Sequence, residues 1–189
     1  MLSTSSPSPL EDAQQNQVSI LQELQSPASL TATWDPLKPP DVHGVLIRDV
    51  KNVVYSKGVL TELFRSEWFD DAPFDVRHVT LVSLLPGQTT QWHRHRQQRD
   101  VVFPIVGTIR IGLFDPRADS PTLSKGMVVT FNLLRPRWLY IPPGVWHALR
   151  NVGAEDASYI VLNDTMFDYA APDDWVLPAG SGLIPVSLD

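Results

Sequence analysis

Two short histidine-bearing segments, joined by apolar strand-like sequence, constrain this chain most. The first runs Gly87-Gln-Thr-Thr-Gln-Trp-His93-Arg-His95-Arg-Gln-Gln-Arg-Asp100 and continues to Gly107, reading G-x5-H-x-H-x4-D-x6-G. The second is Pro142-Pro-Gly144-Val-Trp-His147-Ala-Leu-Arg-Asn151, reading P-x-G-x2-H-x3-N. Side chains on a strand alternate faces, so His93 and His95 point one way and Arg94 and Arg96 the other. Two imidazoles so placed stand roughly 6–7 Å apart along the strand, close enough to share one metal ion or one small substrate. Gln97–Arg99 is short and polar and can reverse the chain. Asp100 then opens an apolar strand, and if that strand pairs back on the first, its carboxylate faces the same pocket. The Pro142-Pro143-Gly144 turn lets His147 close the site from the other side of a barrel.

From Val42 onward the pattern is that of many short strands. They are expected at Val42–Ile47, Asn52–Ser56, Val59–Glu67, Val76–Leu85, Thr89–Arg96, Asp100–Val106, Thr108–Asp115, Met127–Phe131, Trp138–Ile141, Trp146–Val152 and Ser158–Asn163. Gly, Pro, Asn and Asp punctuate them. Near-regular spacing without a long helical period predicts an all-β sandwich or barrel. Residues 1–40, rich in Ser, Pro and Gln, read as a partly ordered N-terminal arm that either hangs free or packs on a partner subunit. Residues 41–189 read as one domain. The end, Trp175–Asp189, is expected to drape over the barrel.

Charge and composition remove several function classes. The formal charge of −6 argues against a general nucleic-acid binder. No apolar run approaches the ~20 residues of a membrane helix. The chain has no cysteine, which excludes disulfides and thiolate chemistry. Its start lacks a cationic and apolar leader, so a cytoplasmic protein is expected.

The two histidine segments resemble the paired signature of the cupin superfamily, with Asp100 where that family carries Glu and Pro136 where it carries an upstream Gly. That resemblance implies a cupin jelly-roll barrel. Within it, Gly107–Thr122, with its D-x-R-x-x-S-P-T run from Asp115, resembles the dTDP-4-dehydrorhamnose 3,5-epimerase (RmlC-like) family. So do Ile141–His147, Lys57-Gly58-Val-Leu-Thr-Glu62 and Tyr169-Ala-Ala-Pro172. The chain looks like a divergent branch of that family, matched from about Val53 to Pro172.

The family resemblance implies a metal-free sugar or sugar-nucleotide epimerase or isomerase working as a homodimer through strand exchange. Carried over residue by residue, it makes His93 the catalytic base, His147 the second site histidine and Tyr169 the acid. Lys57 and Glu62 become nucleotide contacts, and His95 and Asp100 substrate contacts. Two family cations are missing: its Arg falls at Thr90 and its Lys at Asp100. A sugar-nucleotide dianion wants cationic partners, and alternation puts Arg94 and Arg96 on the wrong face to replace them. Proton abstraction beside a carbonyl suits a histidine base, donors to hold the enolate, and an acid on the opposite face.

The same residues allow two other readings. His93, His95, Asp100 and His147 form a three-histidine, one-carboxylate set suited to one divalent Fe, Mn, Ni or Zn, as in a metal-dependent dioxygenase or isomerase. A non-catalytic metabolite-binding cupin would also use them. His43 and His78 lie outside both motifs and read as ordinary strand or surface residues. Arg117 and Ser120 read as turn-shaping.

Overall fold

A computed structural model describes residues 41–69, 73–178 and 180–189, so the expectations for residues 1–40 lie outside the described residues. The described residues form twelve strands: β1 (Leu46–Asp49), β2 (Asn52–Tyr55), β3 (Gly58–Thr61), β4 (His78–Leu84), β5 (His93–Arg94), β6 (Asp100–Val106), β7 (Thr108–Phe114), β8 (Gly126–Asn132), β9 (Arg137–Ile141), β10 (Trp146–Asn151), β11 (Ala157–Asn163) and β12 (Trp175–Val176). One 3-10 turn, Ser66–Trp68, is the only helical element among the described residues. No helix among the described residues is long and apolar enough to cross a membrane.

Ten strands form two five-stranded antiparallel sheets, in the orders β1-β9-β6-β11-β4 and β12-β5-β10-β7-β8, while β2 and β3 pair, among the described residues, only with each other. This is the expected all-β jelly roll. Between the sheets lies a core of Val102, Ile109, Ile111, Leu113, Phe131, Leu139, Leu149 and Tyr159. On β6, Val102 faces this core while Val101 and Phe103 face outward into a second cluster with Phe74, Trp138 and Leu162. Period-two alternation therefore sends Asp100 inward with Val102. The segment carrying Phe64, Trp68 and Phe69 packs on that second cluster and covers the outer face.

Two glycines fix turns that matter here. Gly107 has φ +76° between β6 and β7, and a Cβ there would meet that of Ala157 at 2.6 Å. Gly144 has φ +84°, and its N–H donates to the His95 carbonyl at 2.7 Å, tying the two histidine segments together.

The structure departs from the sequence expectation in four places. The first strand starts at Leu46, because His43 and Gly44 form a turn. The third stops at Thr61 instead of reaching Glu67, and the chain then leaves to cover the aromatic cluster. The predicted strand Thr89–Arg96 shrinks to His93–Arg94, with an isolated bridge at Thr89–Arg150. Within the tail, Trp175–Val176 does not merely drape: it pairs with Arg94 and His93 as an edge strand.

Candidate active site

The cavity opens between the two sheets and has a volume of about 880 Å³, within the usual range of small-molecule sites. His93 on β5 and His147 on β10 are register partners, with ring centroids 4.1 Å apart. His95 follows β5, its ring 5.7 Å from each of the other two. Asp100 comes from the opposite sheet. Its Oδ2 lies 3.4 Å from His95 Nε2 and 3.5 Å from His147 Nε2. The structure thus brings together all four residues of the two motifs.

Each imidazole makes one hydrogen bond to a backbone carbonyl through Nδ1. The acceptors are Gln91 O for His93 (2.9 Å), Asp173 O for His95 (2.5 Å) and Val145 O for His147 (3.1 Å). A carbonyl only accepts, so all three rings carry their proton on Nδ1 and offer Nε2 as the free nitrogen. Asp100 Oδ1 accepts from Gln98 Nε2 (2.8 Å) and Asn163 Nδ2 (2.7 Å), which leaves Oδ2 to the histidines. Two neutral Nε2 atoms and a carboxylate oxygen are all acceptors. A proton or a cation must sit among them.

Burial sets the protonation. It holds His93 below the ordinary imidazole value and His147 well below it, with the neighbouring imidazoles adding to the effect. Burial also pushes Asp100 up, opposed by His95 and by the hydrogen bonds from Asn163 and Gln98. At neutral pH His93 is therefore an uncharged base inside a half-apolar pocket.

Three other predicted site residues are not brought to the cavity. Tyr169 is 88 % exposed, its ring 4.9 Å from that of Phe167, which does line the cavity. Lys57 sits in the exposed β2–β3 turn. Glu62 lies just beyond β3, where its carboxylate pairs with Arg65 at 2.6 Å. A single chain gives these three no contact with the imidazoles. Arg94 lies over Trp146, away from the cavity, as alternation requires. Arg96, by contrast, lines the mouth and stacks on Trp175 at 3.5 Å, because the strand ends at Arg94 and alternation no longer holds. Thr90 Oγ1 accepts from the Leu149 N–H at 3.0 Å and serves the backbone.

Sequence reasoning missed His78. It lines the cavity wall with Thr80 and Val82, on the inward-facing positions of β4. The alternation His78, Thr80, Val82 was the available signal. It also missed Asn163 and Gln98, which hold Asp100, and Asp173, which caps His95. Arg117 and Ser120 do shape a turn, since both donate to the fully buried Asp115 carboxylate.

No family model matches the chain. Among curated proteins it is 31 % identical over 140 residues to a probable low-salt glycan biosynthesis epimerase of Haloferax volcanii, spanning 74 % of this chain and 89 % of that protein. Among solved structures it is similar to a dTDP sugar isomerase of Desulfovibrio desulfuricans, with TM-score 0.70 and 24 % identity over 80 % of this chain and 94 % of that one. The RmlC epimerase of Mycobacterium tuberculosis superposes with TM-score 0.71 at 19 % identity, over 80 % of this chain and 78 % of that one.

Proposed function

The chain belongs to the RmlC-like family of sugar epimerases and isomerases, and from that premise we propose that it inverts a stereocentre beside the carbonyl of a sugar nucleotide, with His93 as the base. The observation that carries this reading is the neutral His93, its Nδ1–H held by Gln91 O and its Nε2 free. That nitrogen takes the proton from the carbon next to the carbonyl. The proton shared among His95, Asp100 and His147 is delivered by hydrogen bond to the enolate oxygen as charge develops there. Tyr169 is the acid that returns a proton to the opposite face, and it can do so only when the segment 165–172 folds inward. No cofactor enters these steps.

The substrate class is a nucleoside-diphosphate sugar, the type named for the Desulfovibrio neighbour. Arg96 is the one Arg or Lys among the described residues lining the cavity, which is few for a diphosphate. A homodimer supplies more. The β2–β3 hairpin exposes Val53, Val54, Tyr55, Val59 and Leu60 and pairs with no other strand among the described residues, and a two-stranded hairpin by itself is only marginally stable in water. A second copy that covers this hairpin would receive Lys57 and Glu62 at its own cavity. The test is incubation with dTDP-4-keto-6-deoxyglucose in deuterium oxide. Epimerase action puts deuterium beside the ketone, and no incorporation overturns the reading.

A second reading is supported by the three imidazoles, whose ligand nitrogens lie within 4.8 Å of one another. With Asp100 alongside, their Nε2 atoms fit one divalent Fe, Mn, Ni or Zn. Such an ion would polarise the substrate carbonyl as a Lewis acid. Stoichiometric metal in protein purified without added ions, lost in His95→Ala, would favour it. Turnover unchanged after chelation would exclude it.

A further inference from the structure

The three imidazoles are aimed in two different ways. His93 and His147 each bond a carbonyl two residues earlier in their own segment, so their orientation is local. The His95 ring instead bonds the carbonyl of Asp173, 78 residues away. The Asp173 carboxylate takes three successive backbone N–H groups from the turn after His95. Arg96 donates to Oδ1 at 2.9 Å, and Gln97 and Gln98 donate to Oδ2 at 2.7 and 3.1 Å. One residue therefore folds the reversal between His95 and Asp100 and caps the histidine that opens it.

The same turn is gripped from its other end. Asp164 accepts from the Arg99 N–H at 2.8 Å and from the Arg99 guanidinium. The segment Asp164–Asp173 is thus clasped by two carboxylates to one four-residue turn, Arg96–Arg99. Between the clasps, Thr165, Met166, Phe167, Asp168, Ala171 and Pro172 line the cavity mouth. Beyond them, Trp175 lies under Arg96 and pairs with Arg94. Gln98 carries the linkage inward, since its N–H bonds Asp173 and its side chain bonds Asp100.

We propose that Asp173 is a positioning residue that couples the seating of the 164–175 segment to the aim of His95. With Asp173 in place, the His95 Nδ1–H is held by a remote carbonyl and Nε2 faces Asp100. With the segment unseated, His95 loses its acceptor, its proton exchanges between the two ring nitrogens, and Nε2 no longer has a fixed aim. His93 and His147 keep their local acceptors throughout. The aim of His95 is thereby fixed only while the wall at the cavity mouth is docked. Carboxylate acceptors for backbone N–H groups are among the stronger hydrogen bonds available, which suits a clasp built from three of them.

The consequence for turnover rests on the epimerase reading, but the structural claim does not. Asp173→Ala and the milder Asp173→Asn keep the backbone carbonyl and remove or weaken the carboxylate clasp. Ring-nitrogen NMR of the full chain without substrate should find His93, His95 and His147 all protonated on Nδ1. In either variant His95 alone should shift toward a mixture of tautomers, and amide exchange at residues 96–98 should accelerate at least tenfold. Asp164→Ala, which opens the other clasp but leaves the Asp173 carbonyl and carboxylate in place, should leave the His95 tautomer unchanged. A His95 tautomer unaltered in both Asp173 variants, despite faster exchange at 96–98, would reduce Asp173 to a loop staple and overturn the proposal. Equal shifts of all three histidines would also overturn it. If His95 moves as expected yet no sugar nucleotide turns over in the parent protein, the epimerase reading fails and the positioning role stands.

Discussion

His95 Nε2 and Asp100 Oδ2 face each other at 3.4 Å across the two sheets, while the His95 Nδ1 is committed to the Asp173 carbonyl. His147 Nε2 approaches the same oxygen at 3.5 Å. The three atoms are held as a set by bonds made elsewhere: Nδ1 of each ring to a carbonyl, Oδ1 to two amides. The arrangement suits a proton or a cation held among them, and in the epimerase reading it is a proton that the enolate oxygen would meet.

Asp100→Asn tests this sharing. The amide oxygen can replace Oδ1 as acceptor for Gln98 and Asn163, and the amide N–H2 can donate to the facing Nε2 atoms. A buried acid whose folded-state pKa is raised binds more protons folded than unfolded, so its stability contribution declines as pH rises above the ordinary carboxylate value. The variant should therefore melt at the same or a higher temperature at pH 7 by calorimetry, while kcat/KM falls by about tenfold or more.

The pH profile follows from His93. Its pKa is lowered, chiefly by burial, so the base form persists to more acidic pH than for a free imidazole. The acid limb of kcat/KM should have its midpoint below the usual value of about 6.5. A limb centred above that value would place the essential base elsewhere. Stability carries the same sign. His93 and His147 are buried neutral, the unfolded chain binds more protons, and stability should fall as pH drops below about 6.5.

Much of this site can be read from the chain, because the barrel imposes period-two alternation on its strands. G-x5-H-x-H-x4-D and P-x-G-x2-H place four side chains on inward positions, and the fold converges them. Where regular alternation stops, so does legibility. Arg96 changed face because β5 ends at Arg94, and His78 stayed hidden because β4 carries no motif. The cap on His95 comes from Asp173, and a carbonyl acceptor so remote leaves no periodic trace. Tyr169, Lys57 and Glu62 lie outside the cavity of a single chain, on exposed segments whose placement a local pattern does not encode.

The turn after β7 offers a stability test independent of the reaction. Asp115 is fully buried and accepts from the Arg117 guanidinium, Ser120 and Thr122, which hold its carboxyl well below the usual range. Arg117 also donates to the His43 carbonyl, fastening the chain before β1. Arg117→Ala would leave an uncompensated buried carboxylate and should cost about 3–5 kcal/mol in chemical denaturation. A change under about 1 kcal/mol would mean that water replaces the guanidinium.

The exposed hairpin predicts an oligomer. Val54 is 78 % exposed and Leu60 64 %, on a two-stranded unit with no third strand among the described residues. Val54→Asp with Leu60→Asp should convert a dimer to a monomer in light scattering. The double variant should also raise KM for a sugar nucleotide if Lys57 acts across the interface. A parent protein that runs as a monomer at all concentrations contradicts this.

His93 as a metal-independent base is read most directly by solvent exchange. Chelator-treated protein should incorporate deuterium beside the ketone of a 4-keto sugar nucleotide, and His93→Ala should slow that by about 10²-fold or more while remaining folded. Exchange that survives His93→Ala, or that vanishes on chelation and returns with a divalent ion, would contradict it.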